Sequence, residues 1–150
     1  MFLVLSIVSA ELSVSRTVRA IDSIGAVEFS DESKEKIDQA RSYYDALDAN
    51  LELDKKITNA DKLTEAEFEY VRLAIKKAYL ADKNGEPEAA EYVAQAREIF
   101  GEYCSTGECK NISNYDDLTA LEAKYSGTSA PAAPTTSSGS SGAAEEIELC

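Results

Sequence analysis

Ile112–Tyr125 reads ISNYDDLTALEAKY, and Ile57–Tyr70 reads ITNADKLTEAEFEY. Laid over each other, the two stretches share Ile, Asn, a Leu-Thr pair, Glu and Tyr at identical spacing. The matches continue upstream. Ala40-Arg41 with Tyr44 answers Ala96-Arg97 with Phe100, and Val18-Arg19 answers Val71-Arg72. Together they define an internal repeat of roughly fifty-five residues, the mark of a supersecondary unit used more than once.

Around this core the chain alternates helical stripes with stop signals. Val14, Val18, Ile21 and Ile24 recur at helical spacing, and Gly25 is placed to end that helix. Val27 and Phe29 read as a brief extended link. Ser30, followed by Asp31 and Glu32, is a helix start, since a hydroxyl caps free amides and acids suit the helix dipole. The next helix presents Ile37, Ala40, Tyr44 and Leu47, with Arg41 beside the stripe and able to reach a carboxylate.

Asn59 is the expected N-cap of a third helix, ahead of the weaker Thr64-x-x-Glu67 capping box. Nothing breaks that helix from Ala60 to Lys83. Its apolar stripe drifts from Leu63, Ala66, Tyr70 and Leu73 to Val71, Ile75, Ala78 and Tyr79, as expected of one helix that closes the first repeat and opens the second. Asn84-Gly85-Glu86-Pro87 stops it. Two further helices carry Ala89, Val93, Ala96, Phe100 and Tyr103, then Leu118, Leu121 and Tyr125.

The pattern predicts an all-α chain: two tandem three-helix bundles sharing one long central helix, over 11–70 and 71–125. A single five-helix bundle is the alternative. Residues 126–150, rich in Ser, Thr, Ala, Pro and Gly before a Glu145–Cys150 ending, read as a disordered stalk.

The first ten residues, MFLVLSIVSA, form an uncharged apolar run ending in small residues. They predict a signal peptide over 1–10 cleaved after Ala10, although only the α-amino group supplies positive charge. The competing expectation is a buried first helix or strand. The run is shorter than the roughly twenty apolar residues that span a bilayer.

Cys104 and Cys109 flank a tight Ser-Thr-Gly-Glu turn, and an exported chain permits a disulfide there. A reduced pair or half of a metal site are the alternatives, and the absence of His disfavours the second. Cys150 is left for an intermolecular disulfide or marks a fragment. Asn111-Ile112-Ser113 is an N-glycosylation sequon.

The net charge of −13 argues against nucleic acid, whose phosphates require Lys and Arg. Acids cluster at Asp31/Glu32/Glu35, Glu65/Glu67/Glu69, Glu86/Glu88/Glu91 and Asp116/Asp117, mostly at helix starts. Asp82–Glu86 faintly echoes a calcium loop, without the distal bidentate Glu. With no His, no nucleophile elbow and no Gly-rich phosphate loop, the chain reads as non-enzymatic and without a cofactor.

The strings Val18-Arg-Ala-Ile21-Asp22-Ser-Ile24-Gly25-Ala-Val27, Ile37-x-x-Ala40-Arg41-x-x-Tyr44-Asp45-x-Leu47 and Asn59-x-x-x-Leu63-x-x-Ala66-Glu67-x-x-Tyr70 resemble small three-helix repeat modules. Such modules are strung along secreted and cell-surface proteins, mostly of Gram-positive bacteria, and the chain is broadly similar to the FIVAR type. The second copy keeps Ala96-Arg97, Asn114-Tyr115-Asp116, Leu118, Glu122 and Tyr125. It departs at Leu121 and at Ile75-Lys-Lys-Ala78, which replaces the Ile-Gly element. The likeness covers about Ser13 to Tyr125 and implies a spacer or adhesive role with no catalytic residues.

The expected function is therefore a secreted or surface-displayed spacer or interaction module meeting a protein or surface glycan, without membrane insertion of the mature chain. The alternative is a free secreted effector or antigen acting through an acidic helical face. An acidic cation-binding protein is a third class.

Overall fold

Apolar residues at helical spacing, punctuated by Gly25 and Gly85, build five α-helices, and no strand occurs among the described residues. The structure is a computed structural model that describes residues 2–104 and 112–128. The helices are α1 (Phe2–Asp22), α2 (Asp31–Asp45), α3 (Ala60–Asn84), α4 (Ala89–Tyr103) and α5 (Tyr115–Thr128). The all-α expectation holds. Two short 3-10 turns, Ala49–Leu51 and Leu53–Lys56, fill the α2–α3 connection, which buried Leu53 pins to the body.

Local chemistry places the helix ends. The Ser30 hydroxyl accepts from the Ser33 N–H at 3.2 Å, and the Ser33 hydroxyl accepts from the Glu28 N–H at 3.0 Å. Two orphan donors at the mouth of α2 are thereby satisfied. At the end of α3, Gly85 takes φ +71°, where an L side chain is strained. The Glu86 N–H then returns to the Ala81 carbonyl at 2.9 Å. That left-handed turn stops α3 at Asn84 and sends the chain into α4.

α3 touches all four other helices, α1, α2, α4 and α5. Its buried residues run along its length: Leu63, Ala66, Glu67, Tyr70, Val71, Ala74, Ile75, Ala78 and Ala81. Most of the buried apolar residues form one cluster, from Ile21, Ile37 and Ala40 through α3 to Val93, Ala96, Ile99, Leu118 and Leu121.

Four local expectations change. Letter matching pairs Val18-Arg19 with Val71-Arg72, but the buried positions Thr17, Ala20, Ile21 and Ile24 correspond to Val71, Ala74, Ile75 and Ala78, one residue over. Packing follows the face each residue presents, and the shared Val-Arg letters fall on different faces. Asn59 occupies the N-cap position of α3 but makes no side-chain capping bond, because its amide is drawn across to α1. Tyr79 lies 39% exposed rather than in the core stripe. Finally, α5 runs to Thr128, past the expected boundary at 125.

α1 is a single helix from Phe2, and it passes through Ala10 without a break. Val8, in the apolar run, and Leu12, just past it, lie 51% and 66% exposed. From Val8 onward, where burial is described, the first buried residue of α1 is Thr17, with Val14 packed against the core.

Because α3 serves both halves, a proline in its middle removes a backbone donor and clashes with the preceding turn, costing about 3 kcal/mol before side-chain losses. Tyr70→Pro should therefore abolish the thermal transition of the whole chain by circular dichroism. Survival of one transition of roughly half the amplitude would show that the halves unfold separately.

Candidate functional site

The most strongly organised polar chemistry is a pair of matched ties at corresponding points of the two halves. On α2, Arg41 sits beside the buried stripe and reaches Glu67 on α3. Its Nε–Oε1 contact is 3.3 Å, and a second bond runs from Nη2 to Oε2. On α4, Arg97 makes the same fork to Glu122 on α5, with Nε–Oε1 at 2.6 Å and an Nη2–Oε2 bond. Each guanidinium also lies over an aromatic ring three residues on, Tyr44 at 5.3 Å and Phe100 at 5.0 Å. Planar guanidinium matches carboxylate in such forks, which give direction as well as charge.

A second tie recurs too. The Asn59 amide donates to the Val18 carbonyl at 3.0 Å, and the Asn114 amide donates to the Arg72 carbonyl at 2.9 Å. In both copies the side-chain oxygen, Oδ1, is buried without a protein partner. Asn59 further donates to Asp22 at 3.0 Å, where Lys62 also arrives at 3.2 Å. In the second half, Lys124 and Tyr125 both donate to Asp82 at 2.6 Å.

These partners set the ionisation of the acids. Hydrogen bonds from Asn59 and Lys62 hold Asp22 below the ordinary carboxylate value, and those from Lys124 and Tyr125 do the same for Asp82. Glu67 moves the other way. Its side chain is 7% exposed, and burial pushes it up against the opposing pull of Arg41. Tyr103 is pushed far up by burial and by its bond to Asp38.

The expected acid clusters come apart into separate roles. Asp31 and Glu32 lie in the first turn of α2, where Glu32 pairs with Lys36 at 2.8 Å. Glu65 and Glu69 engage Arg72 at 3.6 Å and 2.9 Å, whereas Glu67 faces inward to Arg41. Asp116 and Asp117 open α5. Asp82, the first acid of the calcium-like stretch, is occupied by Lys124 and Tyr125, and the described residues hold no group of three side chains suited to a metal ion. A groove of about 360 Å³ lies between the end of α1 and α3, floored by Ile21, Ile24, Val27 and Ala66. Its rim acids Asp22, Glu65 and Glu69 are those already bonded to Asn59, Lys62 and Arg72.

Of the residues singled out by sequence, Cys104 ends α4 and is buried. Cys109, Asn111 and Cys150 lie outside the described residues. Ala10 lies within α1.

One network has no sequence signature. Lys34 on α2 bridges Asp38 and Glu102, each at 2.7 Å, and Tyr103 donates its hydroxyl to Asp38. The Tyr103 ring meets Tyr70 edge-on with centroids 6.2 Å apart. This latch joins α2 to α4. Its members have no counterparts in the other copy, since Ala90 and Ala94 stand where a second Lys34 and Asp38 would fall. No protein-family model matches the chain, and no curated protein or solved structure shows significant similarity to it.

Removing one partner of a buried ion pair leaves a desolvated charge behind, whereas an exposed pair is worth little. Glu67 is 7% exposed and Glu122 is 29% exposed. Arg41→Ala should therefore destabilise by about 3 kcal/mol and Arg97→Ala by about 1 kcal/mol in urea unfolding. Arg41→Met with Glu67→Leu should recover most of the larger loss.

The lowered carboxyls give an acid limb. Asp22 and Asp82 bind protons more weakly folded than unfolded, so their contribution is present above the ordinary value of 3.8 and is lost as pH falls through their folded values. Glu67, raised by burial, has the opposite sign: its contribution is lost as pH rises above 4.5 through its folded value. Asp82→Asn should flatten the fall in melting temperature below about pH 4, measured by circular dichroism.

Proposed function

We propose that the chain is a non-enzymatic spacer or interaction module, secreted or displayed at a cell surface. The observation that carries this reading is the recurrence of the same polar ties, Arg41–Glu67 with Arg97–Glu122 and Asn59–Val18 with Asn114–Arg72, on two sides of one shared helix. A scaffold that joins units through a common helix transmits orientation from one unit to the next, as repeat modules do. The likeness to three-helix FIVAR-type modules points the same way. The partner in this reading is a protein or surface glycan, and 126–150 is the stalk that separates the bundle from what carries it.

Export belongs to the same proposal. The apolar run to Ala10 serves as the leader. Cys104 closes a disulfide with Cys109 across the Ser-Thr-Gly-Glu turn, Asn111 beside it is a glycan acceptor in a eukaryotic secretory pathway, and Cys150 is available for an intermolecular bond.

A second reading, a free effector that docks through an acidic face, is favoured by α4, where Glu91 and Glu98 flank a shallow depression with Tyr92 and Gln95. The intact mass of the protein from its native source, before and after reduction, tests the export on which both readings rest. The expected chain begins at Glu11 and gains mass on reduction as the disulfide opens. A chain that retains Met1 and carries free thiols at 104 and 109 would overturn it. Display on the producing cell, followed by surface labelling, then separates a tethered module from a released effector.

A further inference from the structure

The outward face of the second half of α3 contrasts with the rest of this acidic chain. Lys76, Tyr79, Leu80 and Lys83 are all exposed, Tyr79 and Leu80 by 39% and 43%. Spacings of three and four residues put Lys76, Tyr79 and Lys83 in one row, with Leu80 alongside. Neither Lys76 nor Lys83 joins an ion pair among the described residues, although acids outnumber bases 28 to 15 in the chain. Lys83 instead lies 5.7 Å from the centre of the Tyr79 ring. Two uncompensated cations flanking an exposed aromatic and an exposed aliphatic side chain form a receptor for a short acidic and apolar segment.

The sequence holds such a segment. Glu145-Glu146-Ile147-Glu148-Leu149 carries three carboxylates and two branched apolar side chains, alternating over its last four residues. We propose that residues 145–149 dock in cis on the Lys76–Lys83 face of α3, with the carboxylates meeting Lys76 and Lys83 and Ile147 and Leu149 covering Tyr79 and Leu80.

Reach supports the intramolecular route. α5 ends beside this face, because Lys124 and Tyr125 both bond Asp82, the neighbour of Lys83. The intervening residues 129–144 number about sixteen, and a chain of Gly/Ser-rich composition that long has an end-to-end distance of roughly 20–24 Å. The row from Lys76 to Lys83 is only about 10 Å long. A tether of this length holds the segment at millimolar effective concentration, enough to populate a weak contact. The inference is independent of export, but it competes with the stalk: while 145–149 is docked, that segment cannot hold the bundle away from a carrier.

The test is an amide correlation spectrum of the full-length protein beside a full-length variant carrying Glu145→Lys, Glu146→Lys and Glu148→Lys. The expected result is a shift of the Lys76–Lys83 amides and the Tyr79 ring, while the core amides of α2 stay in place. Raising salt to about 0.5 M should move the native resonances in the same direction, since the contact is exposed and screened. In a Lys76→Glu, Lys83→Glu background, where only exposed side chains change, the tail substitutions should produce no further shift. Unchanged Lys76–Lys83 resonances on tail substitution would overturn the proposal. Shifts that vanish on tenfold dilution would overturn it as well, because a second copy would then be supplying the tail.

Discussion

The fold depends on one constraint: α3 must bury two faces at once. It packs against all four other helices, with Glu67 bonded to Arg41 of α2, Tyr70 against Tyr103 of α4 and Asp82 bonded to Lys124 and Tyr125 of α5. A helix turns about 100° per residue, so a stripe that drifts around the cylinder can serve both sets of neighbours only if the helix is long and unbroken. Twenty-five residues without Gly or Pro meet that demand, and Gly85 sits where the demand ends. Small residues make the double contact close. Ala66, Ala74, Ala78 and Ala81 are all buried, which lets neighbouring helices approach the α3 backbone.

Apolar stripes alone leave rotation and register loosely set, because leucine and isoleucine pack in more than one way. The Arg–Glu forks and the asparagine ties narrow the choice. A fork satisfies both partners in one relative orientation of two helices, and an asparagine amide on a neighbouring helix carbonyl fixes a height along the axis. Burying Glu67 carries a desolvation cost that Arg41 has to offset, which is why burial still raises the carboxyl despite its partner. The second copy is more open at Glu122 and bears less of this cost. We read the forks as specifying arrangement more than as adding net stability, consistent with the general behaviour of buried ion pairs.

Much of this was legible in the sequence because it repeats. Ile57, Leu63, Glu67 and Tyr70 recur as Ile112, Leu118, Glu122 and Tyr125, and a position that must do the same work twice advertises itself. Arg41 could be marked as reaching for a carboxylate, although its partner, twenty-six residues away on another helix, could not be named. The reading failed where one letter had two uses. Asn59 looks like a cap because asparagine commonly is one, yet its Nδ2 donates to the Val18 carbonyl of α1 and its Oδ1 accepts no capping N–H. Tyr79 fits the periodicity of a core stripe, but it comes after the drift has carried the buried face past it. The α2–α4 latch was invisible. Lys34, Asp38 and Glu102 are ordinary helix-surface residues, and Tyr103 one more member of an apolar stripe, until the fold brings them together across 65 and 68 positions.

That latch changes how the two halves relate. A shared helix can bend, so two units joined by α3 alone would keep some freedom about it. Lys34 and Tyr103 add a second connection off the α3 axis, and the edge contact between Tyr103 and Tyr70 links that connection back to α3 itself. Two connections separated in space resist bending far better than one. The latch also lies next to buried Cys104, so the end of α4 is held by its core packing and by Asp38 together.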